Sequence, residues 1–485
     1  MTPVQILIIV AAYFSLLILI SWFTSRKATN DTFFIGGHKS PWYLVAFGMI
    51  GTSLSGVTFI SIPGWVASSE FAYMQTVLGY LVGYLVIGTI LMPLYYKLNL
   101  TSIYTYLDQR FGNYSYKTGA SYFILSRIIG ASFRLFLVAS VLQFTVFDEL
   151  KIPFSVTVIL TISLIWLYTF KGGIKTIVWT DTLQTFFMLT AVVVTIYMIR
   201  NQLDWSFEEM VVQIRSSNYS KIFFFDDIQS PNYFWKHFLG GAFIAICMTG
   251  LDQDMMQKNL SCKNIGEAQK NMFWFSGSLV IVNLFFLSLG ALLYLYTDAM
   301  NLELPEKSDH LYPMLAMSNE FGSIVAVVFI LGLVAAAYSS ADSALTALTT
   351  SFSIDILNIN KYPSTSQVRI RKMVHIGMSV CLFLCILLFR VINNESVIKE
   401  LFVMAGYTYG PLLGLYAFGL STRRIVRDPL VPLVCIISPL LCYILKDNSE
   451  ALLNGYKFGF ELLVLNGVFT YIGLWLISKN HEQNQ

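Results

Sequence analysis

Stretches of about twenty mostly apolar residues, the length of helix that crosses a hydrocarbon core, recur along the whole chain. Thirteen are read, at 4–24, 41–65, 72–98, 119–147, 153–170, 176–200, 234–258, 271–297, 322–356, 373–392, 397–420, 430–446 and 458–478. In lipid the backbone must satisfy its own polar groups, so a series of such stretches folds as helices. Composition agrees: of 485 residues, 56% are hydrophobic and 12% charged. Soluble domains carry about 25% charged residues, so a water-soluble globule is excluded. The 31 basic and 28 acidic residues leave no basic excess for nucleic acid. The expectation is an all-α polytopic membrane protein. Its six cysteines, in or beside apolar runs, read as small core hydrophobes.

The first stretch has no basic residue before it, and Arg26 and Lys27 follow it. That order suits a retained helix with its N-terminus outside. Alternating from there places Arg369, Arg371 and Lys372, and Arg423, Arg424 and Arg427, on the cytoplasmic side. The acids Glu208, Glu209, Asp226, Asp227, Glu303 and Glu306 fall outside. The predicted protein is multi-pass in the cell (inner) membrane, with its C-terminus cytoplasmic. The longest connections, roughly 201–233 and 298–321, are external. Trp205, Phe207 and Phe223–Phe225 suit an amphipathic segment lying over the bundle. An intramembrane enzyme needs paired acids, a His-rich metal set or a Ser/His couple at depth. His38, His237, His310, His375 and His481 lie at span ends, loops or the tail, so no enzyme is expected.

Several stretches are imperfect as membrane helices. The second contains Gly48, Gly51, Ser53, Ser55, Gly56 and Thr58, then Pro63-Gly64. Irregular backbone at this depth is tolerated where it is buried or lines a cavity; close packing through small residues explains the same composition. In the ninth, Ser339, Asp342, Ser343 and Thr346 share one helix face, with Ser340 on its shoulder and alanines around them. A carboxylate at that depth costs roughly 2.5–3.5 kcal/mol and calls for a polar cavity or a cationic partner. The sixth opens on Gly172-Gly173 and carries Asp181; the seventh carries Gly240-Gly241 and then Asp252 and Asp254 near the cytoplasmic interface. Arg127 and Arg134 sit two turns apart in the fourth. They suit either bidentate recognition of a carboxylate ligand or ion pairing with Asp181 or Asp342.

Three stretches together carry a family resemblance: Gly172-Gly173-x-Lys175-x-x-x-Trp179-Thr180-Asp181, Asp252-Gln253-x-x-x-Gln257, and Ala336-x-x-Ser339-Ser340 followed by Asp355. In these the chain resembles the sodium/solute symporters of sugars, monocarboxylates and sialic acid over nearly its whole length. The resemblance implies a leucine-transporter-like fold with two inverted five-helix repeats at 41–200 and 234–420. Residues 1–40 would add one helix and a loop, 201–233 an external loop, and 421–485 two further helices and a tail. The first repeat would break near 51–56 and the second near 240–250.

The same resemblance implies one sodium ion held by the carbonyls of Gly51, Leu54 and Ala336 and the hydroxyls of Ser339 and Ser340. A second cation would lie among Asp181, Ser339, Asp342 and Ser343. Relatives commonly have serine at the position of Asp342, so either two carboxylates serve one ion or one of them holds a proton. Sodium is the coupling ion and no cofactor is expected. The polar residues of the sugar-transporting branch are replaced here by Thr58, Ala245 and Met248. The sialic acid branch is similar in its hydroxyls, Ser53, Ser55 and Thr58, with Gln75 and Arg127 following and Arg134 available nearby. The expected function is sodium-coupled import of a small polar solute, an organic anion or acidic sugar such as sialic acid. The alternatives are a neutral sugar, polyol or vitamin, or a transport-inactive sensor of the same fold.

Overall fold

The computed structural model describes residues 2–24, 38–318, 320–392 and 397–479. Thirteen helical segments organise them. They are α1 (Pro3–Thr24), α2 (Trp42–Ser69), α3 (Tyr73–Lys97), α4 (Asn113–Phe147), α5 (Phe154–Gln202), α6 (Phe234–Gly250), α7 (Gln253–Leu260), α8 (Ile265–Ala299), α9 (Gly322–Ile356), α10 (Ser364–Ile392), α11 (Val397–Ser421), α12 (Val431–Asp447) and α13 (Leu462–Leu476). Ten helices among the described residues are long and apolar enough to cross a membrane. The α6–α7 pair, bent by 64°, adds an eleventh, and Phe154–Leu167 and Leu462–Leu476 are shorter apolar helices. All thirteen expected stretches are therefore helical.

The fifth and sixth stretches share the helical backbone of α5. Thr157 hydrogen-bonds Gln143 near the end of α4; the adjacent Phe144 stacks on His310, with ring centroids 6.0 Å apart. Thr195 bonds the Tyr312 hydroxyl at 2.8 Å. A straight helix would set Thr157 and Thr195 about 57 Å apart, so the halves Phe154–Leu167 and Thr176–Gln202 run antiparallel.

The helices richest in small and polar residues are the most enclosed. Most of α2 and α9 is buried, whereas α1, α10 and α12 present mostly outward-facing surface. α9 packs along α5, α2 and α4, and α6 along α3. Peripheral helices shield the central ones, so the polar groups of the centre meet one another instead of hydrocarbon.

The second break lies at Leu251–Asp252, just beyond the expected 240–250. Gly240 and Gly241 sit inside regular helix as packing notches: a Cβ on Gly241 would lie 2.2 Å from the Thr76 carbonyl oxygen, and one on Gly79 2.0 Å from that of Phe238. The break is made instead by a π turn over Ile246–Gly250 and by Asp252, whose Oδ1 caps α7 by accepting the Asp254 and Met255 N–H groups. The connection between α5 and α6 holds an amphipathic helix, Phe207–Ser216, started by a Ser206–Glu209 capping box. Its buried residues are Met210 and Ile214, whereas Phe207 is exposed. Cys247, Cys262, Cys435 and Cys442 are buried, but Cys381 is exposed on α10.

Candidate cation and solute site

α2 breaks at Ser55, whose φ of 50° and ψ of 176° interrupt the helix. A non-glycine residue there is strained by about 1–3 kcal/mol. The break frees backbone carbonyls: that of Thr52, which an unbroken helix would pair with the N–H four residues on, accepts the Ser340 hydroxyl of α9 at 3.2 Å. Small residues allow this approach. A Cβ on Gly56 would lie 3.8 Å from the Ala337 Cα, and one on Gly51 would lie 2.3 Å from Thr185 Oγ1, which the Gly51 N–H meets at 3.0 Å. Gly51, Leu54, Ala336, Ser339 and Ser340 are all buried on these facing segments of α2 and α9.

Asp181 enters the junction from α5. Its carboxylate, 1% exposed, accepts from Ser339 Oγ at 2.9 Å, Thr52 Oγ1 at 3.0 Å and Lys258 Nζ at 2.6 Å. Lys258 also donates to Thr52 Oγ1. Asp342 is fully buried one turn beyond Ser339, and its Oδ1 accepts the Ser343 N–H at 2.6 Å. The Ser343 hydroxyl is buried without a hydrogen-bond partner among the described residues. Oxygens from α2, α5 and α9 thus converge on one buried point, a donor set suited to a hard monovalent cation. Lys258 is the member that sequence reasoning missed. Its place among basic residues at a span end gave no sign that it turns inward.

Arg127 pairs with neither of the acids expected for it. Its guanidinium meets Asp254 and lies 3.7 Å from Asp252, to which Tyr409 Oη donates at 2.6 Å. These carboxylates stand at the start of α7, where the bend turns them toward α4. Arg134 is also buried, but it has no ion-pair partner among the described residues, and its Nε lacks a hydrogen-bond partner. It faces a central cavity lined by Ser53, Ser55 and Thr58 of α2, tyrosines of α3 and Ala245 and Met248 of α6. Thr52 and Leu54 belong to the same lining, so the cavity and the cation junction share the break in α2.

The cavity has a volume of about 70 Å³. Phe402 closes one side against Phe460, which also packs on Trp65, and a wider cavity of about 710 Å³ lies beyond. Gln75 is not brought to the cavity. Its amide donates to the Ala72 and Asn232 carbonyls and accepts the Phe224 N–H, which ties the α5–α6 connection to α3.

The profile of the sodium:solute symporter family matches residues 33–428. The chain is 27% identical over 426 residues to a sodium/sialic acid symporter of Aliivibrio fischeri, covering 83% of this chain and 80% of that one. It is 26% identical over 429 residues to the sodium/sialic acid symporter of Proteus mirabilis, covering 83% and 82%. A solved substrate-bound, outward-open Na+-coupled sialic acid symporter superposes with a TM-score of 0.83 at 21% identity, covering 98% of each chain. The closed nucleobase-cation-symport-1 transporter Mhp1 superposes at 0.55 with 15% identity over 90% and 91%. These similarities establish a leucine-transporter-like fold.

Proposed function

The chain belongs to the sodium:solute symporter family, and from that premise we propose that it imports an acidic sugar of the sialic acid class together with sodium. Arg134 carries the reading: a buried guanidinium with no ion-pair partner among the described residues, set in a cavity also lined by Arg127 and by the hydroxyls of Ser53, Ser55 and Thr58. A planar fork of donors matches a carboxylate, and the hydroxyls match a polyol body. The sialic acid symporters among the relatives support the same class.

In this reading sodium binds the carbonyls of Gly51, Leu54 and Ala336 and the hydroxyls of Ser339 and Ser340. A second cation uses Asp181 and Ser339, with Asp342 and Ser343 beside them. Sodium draws α9 onto the broken segment of α2, the segment that also forms the solute cavity. Each ligand then tightens the other by the same factor, as linkage requires. Residues 41–200 and 234–420 form the two inverted repeats, and the N-terminus lies outside with the C-terminus in the cytoplasm. Widening and closing of the cavity on alternate sides moves both ligands inward.

The test is uptake of labelled sialic acid by proteoliposomes holding the purified protein. An inward sodium gradient should drive accumulation that potassium or proton gradients alone do not. Equal uptake under all three gradients would refute symport, and sodium-driven uptake of neutral sugars but not sialic acid would refute the substrate class.

A further inference from the structure

We propose that Lys258 is a tethered counter-cation that takes the place of sodium on Asp181 when the carrier is empty. The proposal rests on the sodium-symport reading above. The ammonium stands where the second cation would be held: 2.6 Å from Asp181 Oδ2 and hydrogen-bonded to Thr52 Oγ1, which is itself 3.3 Å from Ser339 Oγ. Lys258 and Asp181 are each 1% exposed. A lysine ammonium is a compact charge that takes oxygen ligands much as a small metal cation does. Two such charges cannot share one dry oxygen cluster, so sodium reaches Asp181 only as the ammonium leaves.

The position of Lys258 in the fold gives that exchange a consequence. It lies on α7, beyond the 64° bend in the second broken helix. The other ties of this segment include Asp254 to Arg127, Asp252 to Tyr409, Gln253 to Thr101 and Ile103, and, near the end of α9, Gln257 to Thr350. Lys258 is thus the charged link between α7 and Asp181 of α5, and Asp342, buried one turn along α9 from the Ser339 that donates to Asp181, is a second carboxylate beside the junction. Without Lys258, a carrier that has released its sodium would have to reorient with a naked carboxylate buried at Asp181, which is strongly disfavoured. With it, the empty carrier returns in a compensated state.

The experiment compares the purified wild type with Lys258→Met, Asp181→Asn and the double variant. Sodium is titrated at constant ionic strength by thermal shift, without solute, and sialic acid net uptake and counterflow are measured in proteoliposomes. Lys258→Met should bind sodium at least tenfold more tightly and lose at least tenfold in net uptake. Counterflow at saturating sodium, which needs no empty-carrier return, should fall far less. Unchanged or weaker sodium binding, or equal loss of net uptake and counterflow, would overturn the proposal. If Lys258→Met does not fold, the double variant, which removes both members of the ion pair, is compared with Asp181→Asn. Removing the ammonium should then tighten sodium binding at least threefold, and equal affinities would overturn the proposal. A wild type that sodium neither stabilises nor drives would instead refute the symport reading itself.

Discussion

Arg127 and Arg134 are two turns apart on one helix and both line the central cavity, yet only Arg127 has ion-pair partners among the described residues. Arg127 neutralises Asp254 and Asp252; deleting its charge strands those carboxylates in the interior. Arg127→Met should therefore destabilise the protein by about 3–5 kcal/mol, read as a lower unfolding temperature without solute. Arg134→Met should leave folding nearly unchanged and abolish the thermal shift produced by sialic acid, since no protein carboxylate depends on it. The reverse pattern would exchange their roles. Ser340→Ala removes a candidate sodium ligand and the hydrogen bond to the Thr52 carbonyl. The half-saturating sodium concentration for uptake should rise about tenfold, equivalent to about 1.4 kcal/mol, the size of one hydrogen bond to a charged group. Unchanged sodium dependence would place the ion elsewhere. The types of residue at this site were legible in the sequence, because buried acids, arginines and hydroxyls stand out against hydrocarbon. Their pairing was not: Gln75 is drawn to the α5–α6 connection, and Lys258 reaches in from a span end.

At the level of the element, the first helix break was readable from Gly51 to Gly56, and the structure puts it at Ser55. The second was read over 240–250 and falls just beyond, at Leu251–Asp252, because glycine serves two purposes that a sequence does not separate. Gly241 is a notch against the Thr76 backbone, while the break itself needs the Asp252 cap and the π turn before it. Gly241→Ala should destabilise the protein by about 1–3 kcal/mol through overpacking, measured by thermal unfolding. Gly277→Ala, where nothing lies within 4 Å of the added Cβ, should instead be neutral or gain up to about 1 kcal/mol from helix propensity. Similar losses at both glycines would mean that backbone freedom, not close approach, explains Gly241. The antiparallel halves of α5 make the same point about boundaries: the two apolar stretches were evident, but helical backbone alone does not reveal that they share one end.

For the whole molecule, the charge distribution predicts which face meets the cytoplasm. Arg423 is exposed after α11. Arg423→Cys, in a cysteine-depleted background, should react with an impermeant thiol reagent only after cells are opened. Reaction from outside intact cells would invert the proposed orientation. Membrane residence, helical class and the choice of α2 and α9 as central helices follow from the sequence by itself. Each is a consequence of what a residue costs in hydrocarbon, a quantity that belongs to the residue and its near neighbours. The partner of each buried charge belongs to the tertiary structure alone. Asp181 meets Lys258, 77 residues away, and Arg127 meets Asp254, 127 residues away. Such meetings depend on the rotation of each helix about its axis and on the 64° bend before α7, which the packing of all the helices sets together.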